Sequence, residues 1–194
     1  RDLKTRFLFD HTAAFILILA EEIRQAIRKH GDVRVRLNVA SDLRWERIAP
    51  ALFSLGAKFY DYTKAPIKHR GSMPNYHLTF SVSERKASEV EALRSLSNGH
   101  NVAIVFATPK HNLPATWHGY NVIDGDLSDD RTADPRGGTV VGLAYDSDEE
   151  RSSGTIEQYL AYRTADPRGV VVGLAAKAGA RGDKTGFVKA GHAS

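Results

Sequence analysis

Carboxylates, hydroxyls and cations recur in this chain where strand-like runs give way to loops. Asn38, Ser41 and Asp42 fall at and after VRVRLNV, and Asp61, Thr63 and Lys64 close KFYDY. Thr79, Ser81 and Glu84 lie in and after YHLTFSV, Lys110 and His111 follow NVAIVFA, and Asp124 and Asp126 flank a glycine in DGD. In a parallel α/β sheet the ligand crevice forms at the carboxyl ends of the strands. The order of the runs therefore predicts a polar pocket lined by Asn38, Ser41, Asp42, Asp61, Lys64, Ser81 and His111. Carboxylate oxygens suit a hard divalent cation such as magnesium, for which Asp42, Asp124 and Asp126 are the candidate ligands. Asp42 is also a good helix cap, and Asp-Gly a frequent turn pair. His111 is the candidate general base by its place at the sheet edge, whereas His77, inside a strand, reads as a packed or site-facing residue. In an enzyme, these types allow metal-assisted phosphoester or nucleotide chemistry, with Lys64 stabilising developing negative charge.

A second set is basic. Lys64, Lys68, His69 and Arg70 sit in one Pro- and Gly-containing loop directly after Tyr60 and Tyr62. Such a loop could grip phosphates while an aromatic ring stacks on a base, and Lys64, Lys68 and Arg70 are its nucleic-acid candidates. The competing reading is a solvated loop after a strand whose tyrosines pack inward. The formal net charge of +4 and pI near 9.3 permit contact with a polyanion without requiring it. Glu89, Glu91 and Arg94 read as a solvated helix face.

Several classes are excluded. With no cysteine among 194 residues, the chain has no disulfide, thiolate zinc site, cysteine-ligated cluster or cysteine nucleophile of its own. Its histidines show no HExxH pairing, and GxGxxG, Walker and GxSxG motifs are absent. The longest apolar run, AAFILILA, has eight residues against the roughly 20 needed to span a bilayer. It reads as a buried helix, with no membrane partner and a cytoplasmic location in a bacterial host.

The elements that must position these residues alternate. TRFLF is a β-leaning run, followed by a helix from Asp10 or Thr12 to Lys29 that stops at Gly31. Strand Val33 to Val39 leads to a helix over LRWERIAPALFSL, kinked or split at Pro50. Strand Lys58 to Tyr62, the basic loop and strand Tyr76 to Val82 precede a helix opened by Ser83 and ended at Asn98-Gly99. The nearly all-apolar strand Asn101 to Ala107 is the kind buried on both faces of a parallel sheet. The order predicts a single α/β domain over 1–194, with a mainly parallel sheet, partial or TIM-barrel-like, and a β-rich C-terminal segment.

That C-terminal segment writes one phrase twice: RTADPRGGTVVGLA from Arg131 and RTADPRGVVVGLA from Arg163. GYNVIDG, GTVVGLA and GVVVGLA are strand candidates, and TIEQYLAY, in the acidic stretch between the copies, is a short-helix candidate. Two copies fall short of a solenoid. The segment 131–162 reads as an insertion or tandem duplication, with one copy sufficient to complete the sheet.

Taken in order, RLNVASDLRWE, FYDYTK, NYHLTFS and VIDGD resemble a family of phage and mobile-element proteins typified by the mycobacteriophage protein gene product eighty-eight. The similarity extends to the end of the chain, where ADPRGVVVGLAAKAGARGDKTGFV resembles the family's DPxGxxVGL closing segment. The resemblance implies an α/β, barrel-like domain without an established activity. Its matching positions are Arg36, Asn38, Ser41, Asp42, Trp45 and Glu46, then Asp61, Tyr62, Thr63 and Lys64, then Asn75, Tyr76, Thr79 and Ser81, then Asp124 and Asp126. Two departures stand out. Family members carry a cysteine-containing segment before the first strand, which would make this chain a fragment, a diverged form or the remnant of a larger cofactor enzyme. They also carry one DPxG segment, so the Arg163 copy, continuing through Lys177, Arg181, Asp183 and Phe187, is expected to supply the family strand.

The leading expectation is a phage-type intracellular protein whose polar pocket at the carboxyl edge of the sheet binds or acts on a phosphate-containing small molecule or nucleic acid. The alternative is a non-catalytic module that binds nucleic acid or a host protein through the basic loop 64–70.

Overall fold

The computed structural model describes residues 2–39, 41–83, 85–106, 112–144 and 170–172. Helices α1 (Asp2–Asp10) and α2 (Thr12–His30) precede strand β1 (Val33–Val35), the short helix α3 (Trp45–Ile48) and a 3-10 turn over Pro50–Ser54. Strands β2 (Lys58–Thr63) and β3 (Tyr76–Ser81), helix α4 (Lys86–Ser97) and strand β4 (Val102–Phe106) follow. The remainder is β5 (Thr116–Trp117), β6 (Tyr120–Asp124), β7 (Val140–Ala144) and β8 (Val170–Val172). The sheet runs β5-β6-β7-β4-β3-β2-β1-β8, parallel throughout except for the β5–β6 hairpin. The fold is therefore mixed α/β with a mainly parallel sheet. Among the described residues the sheet is open, with β5 and β8 at its two edges, and β6 and β7 lie beyond β4 in reversed order.

Strand alternation gives the sheet two unlike faces. One carries Val33, Val35, Phe59, Phe80, Val102, Ile104 and Val140, which pack in two apolar clusters with residues of α2, the Pro50–Ser54 turn and α4. The other carries Arg34, Tyr60, Tyr62, His77 and Thr79 on β1 to β3, continuing through Ser81, Ala103 and Val141 by the register of the neighbouring strands. Because β6 and β7 are parallel, residues 125–139 must return the chain from the carboxyl end of one to the amino end of the other. This crossover uses no α-helix. It crosses the polar face, with the 3-10 turn Arg131–Ala133 against β2 and β3. Asn101 fixes its far end, accepting from the Thr139 N–H at 3.1 Å and donating to the Pro135 carbonyl at 2.9 Å.

Several expected elements differ. Residues 5–9 belong to α1 rather than a strand, because Leu8 is buried and Phe7 packs on His11 and Phe15 within a helical pair. The chain leaves the sheet after Val35, since the Asn38 N–H and side chain turn toward Asp61. Pro50 does split the second helical run, into α3 and the 3-10 turn. The apolar run in α2 is not a buried helix: Ala20 is buried, but Leu17 and Ile18 are 70% and 52% exposed. No helix among the described residues is long and apolar enough to cross a membrane.

Both copies of the repeated phrase enter the sheet. The Arg131 copy supplies the 3-10 turn on the polar face and then β7, held between β6 and β4. The other copy supplies β8, whose backbone pairs with β1 in the register Val33↔Val170. The segment read as an insertion thus begins inside the sheet. TIEQYLAY and the closing stretch containing Lys177, Arg181, Asp183 and Phe187 lie outside the described residues.

Candidate functional site

At the carboxyl ends of β1 and β2 the predicted residues do meet, and they meet each other. The Asn38 N–H donates to Asp61 Oδ1 at 2.7 Å and its Nδ2 to Asp61 Oδ2 at 3.2 Å. The Asn38 Oδ1 accepts from Ser41 Oγ, the Leu43 N–H and Trp45 Nε1. Tyr76 O–H adds a 2.7 Å bond to Asp61 Oδ2. Asp61 is fully buried; desolvation pushes its carboxyl up to about 7, against the pull of the Tyr76 and Asn38 bonds and the Arg36 and Arg70 charges.

Arg70 binds this corner together. Its guanidinium donates to Glu46 Oε1 at 2.8 Å and Oε2 at 3.1 Å, to Asp42 Oδ1 at 2.7 Å and to Thr63 Oγ1 at 2.9 Å. Further bonds reach the Leu43 carbonyl and Tyr76 Oη. A planar fork of five N–H donors suits such a junction. Despite burial, which opposes it, the Glu46 carboxyl is held below its ordinary range by the Arg70 and Gly71 bonds. Asp42 Oδ2 accepts from Thr63 Oγ1 and from the Lys64 and Ala65 N–H groups. Arg70, expected as a surface nucleic-acid contact, is instead buried among these partners. Asp42 turns both oxygens to the protein and is a strut of the basic loop.

The remaining candidates are dispersed. Asp124 Oδ1 accepts from the Asp126 N–H at 2.8 Å, a turn bond, and Asp126 Oδ2 accepts from the Ala144 N–H at 2.9 Å, tying β6 to β7. Neither joins Asp42, and no group of three His, Asp or Glu among the described residues could hold a metal ion. Ser81 lies half-buried at the end of β3, while Lys110, His111 and Glu84 lie outside the described residues. Lys64, Lys68 and His69 are exposed. Tyr60 is buried and Tyr62 half-buried, so neither offers a stacking platform beside them.

The polar face gathers residues that sequence reasoning named separately, Arg36, Tyr60, Tyr62 and Thr79, with Arg34, Asp129, Asp130 and Arg131, which it did not connect to a site. Arg36 Nη1 meets both oxygens of Asp129 at 3.2 and 3.3 Å, and its guanidinium lies 4.8 Å over the Tyr62 ring. Arg34 Nε lies 3.2 Å from Asp130 Oδ2 and also pairs with Asp32. Arg131, only 1% exposed, donates through Nη2 to the Ser128 and Gly125 carbonyls and faces Asp134 across 3.5 Å. Among the described residues, Arg131 Nη1, Arg36 Nε, Tyr60 Oη and Thr79 Oγ1 are buried without a hydrogen-bond partner. Burial raises both tyrosines, Tyr62 to about 12, and lowers His77 to about 4, with Arg136 and Arg131 adding to the His77 shift. Beside Arg36 the Asp129 side chain is 38% exposed. The alternation of VRVR and YHLTFS was the signal of the polar face, with polar residues opposite the apolar ones; in FYDYT that face is marked by Tyr60 and Tyr62. A separate groove of about 150 Å³ between α2 and Trp45 is lined mainly by apolar residues such as Phe15, Leu19 and Val35.

These features define an open-sheet α/β protein with a helix-covered apolar face, a crossover-covered polar face and a satisfied polar corner at one strand edge. The chain belongs to the Gene product 88 family, whose model matches residues 1–191. No curated protein and no solved structure matches it.

Proposed function

We propose that the protein binds a phosphate-containing ligand on the polar face of β1 to β3, entered from the carboxyl end beside Arg36 and Asp129. The observation that carries this reading is the set of unpartnered donors: Arg131 Nη1, Arg36 Nε, Tyr60 Oη and Thr79 Oγ1. Buried polar groups in folded proteins are almost always paired. Guanidinium N–H groups and hydroxyls together suit the several acceptor oxygens of a phosphate. On this reading the ligand sits on the face opposite Asp61, and Asn38, Asp61 and Arg70 brace the strand ends rather than contact it.

The test is titration calorimetry with inorganic phosphate, pyrophosphate and nucleotides on the full chain, repeated with Tyr60→Phe and Thr79→Val. Each variant removes a hydroxyl that has no partner in the protein, so the thermal midpoint should hold while affinity falls about tenfold, the scale of one lost hydrogen bond to a charged group. Absence of phosphate binding, or binding that ignores both variants, would overturn the proposal.

A further inference from the structure

The stretch 41–76 contains three acids, Asp42, Glu46 and Asp61. All three bond to the protein: the buried Glu46 and the exposed Asp42 to Arg70, the buried Asp61 to Asn38 and Tyr76. Apart from the buried Arg70, the cations of the same stretch are exposed, among them Arg44, Arg47, Lys64, Lys68 and His69. They belong to adjoining segments, because Asp42 holds the Lys64 and Ala65 N–H groups and Arg70 holds Glu46 and the Leu43 carbonyl. The result is a basic surface on a backbone fixed from within, a different place from the polar face of the sheet. Arg44 stands immediately before α3 and Arg47 within its single turn, three residues on.

We infer that this surface, carried by Arg44, Arg47, Lys64 and Lys68, binds the phosphate backbone of double-stranded nucleic acid without reading its bases. The absence of a stacking platform argues for a duplex over a single strand. Trp45, Phe53, Phe59, Tyr60 and Tyr76 are buried and Tyr62 is half-buried, so no exposed Phe, Tyr or Trp ring stands among these cations to receive an unstacked base. Exposed cations on segments tied together at the backbone suit the charged backbone of a duplex, and each neutralised phosphate releases counterions.

The experiment is fluorescence anisotropy of the full chain with a mixed-sequence DNA duplex and with a single strand of equal length, between 50 and 200 mM salt. Four contacts give a logarithmic salt slope of about −3.6, so affinity should fall about 100-fold over that range. Binding should be indifferent to duplex sequence. The pair Arg47→Gln and Lys68→Gln, both at exposed positions, should keep the thermal midpoint and bring the slope to about −1.8, leaving roughly a tenfold fall. No duplex binding at the lower salt, an unchanged slope in the pair variant, or tighter binding to the single strand would each overturn the inference. Phosphate binding on the polar face is read separately through Tyr60→Phe, so either idea can fail alone.

Discussion

Two buried groups on opposite faces of the same strands should drive stability in opposite directions with pH. Asp61 titrates at about 7 in the fold against an ordinary 3.8. Between those values the folded state keeps a proton that the unfolded chain has released, so stability is full at acid pH and is lost as pH rises through 7. His77 titrates at about 4 against an ordinary 6.5. Here the unfolded chain holds the extra proton, so stability is present above 6.5 and is lost as pH falls toward 4. At 1.36 kcal/mol per pKa unit, these shifts correspond to about 4 kcal/mol for Asp61 and about 3 kcal/mol for His77. In the wild type the two largely cancel between pH 4 and 6.5. Replacing His77 by Gln removes one of them. Urea unfolding at fixed ionic strength from pH 4.5 to 7.5 should show His77→Gln losing stability steeply with rising pH while the wild type stays nearly level. The wild-type advantage over the variant should widen by about 2.5 kcal/mol across the window. Parallel curves would refute a neutral buried His77. A variant that stays level or gains stability with pH would refute a protonated Asp61 and show that its three donors hold it ionised.

Arg70→Met should cost about 3–5 kcal/mol, because it strands the buried Glu46 carboxylate and half of Asp42. The double variant Arg70→Met with Glu46→Met should recover much of that loss in urea melts, since an apolar pair can replace a buried ion pair. Gly138→Ala should destabilise by more than about 1 kcal/mol by the same measurement. Gly138 sits at φ +90°, and a Cβ there would come 2.6 Å from the Leu96 carbonyl oxygen, closing the space where β7 passes the end of α4.

How much of this was legible in the sequence depends on the range of the interaction. The strand and helix order from Val33 to Phe106 was readable because alternation and apolar periodicity are local. The meeting of Asn38, Asp61 and Asp42 followed from parallel topology alone. Their role did not, since that role is set by Arg70, which lies 28 residues beyond Asp42 and 24 beyond Glu46. A basic loop shows its cations in sequence; it does not show that one of them points inward. The TRFLF run was misread for a similar reason, because its Phe and Thr content favours a strand while packing of Phe7 on Phe15 favours a helix.

The inward turn of Arg70 also links the two proposed surfaces. By drawing Asp42 and Glu46 to itself, it offsets both carboxylates while Arg44, Arg47, Lys64 and Lys68 stay exposed. Through Thr63 and Tyr76 it also braces the strand ends that carry Tyr60, Tyr62 and Thr79 on the opposite face. One buried cation thus sets the charge of an outer surface and the rigidity of an inner one. Arg70→Met is accordingly expected to disturb both binding readouts together, whereas Thr79→Val touches only the inner face and Lys68→Gln only the outer.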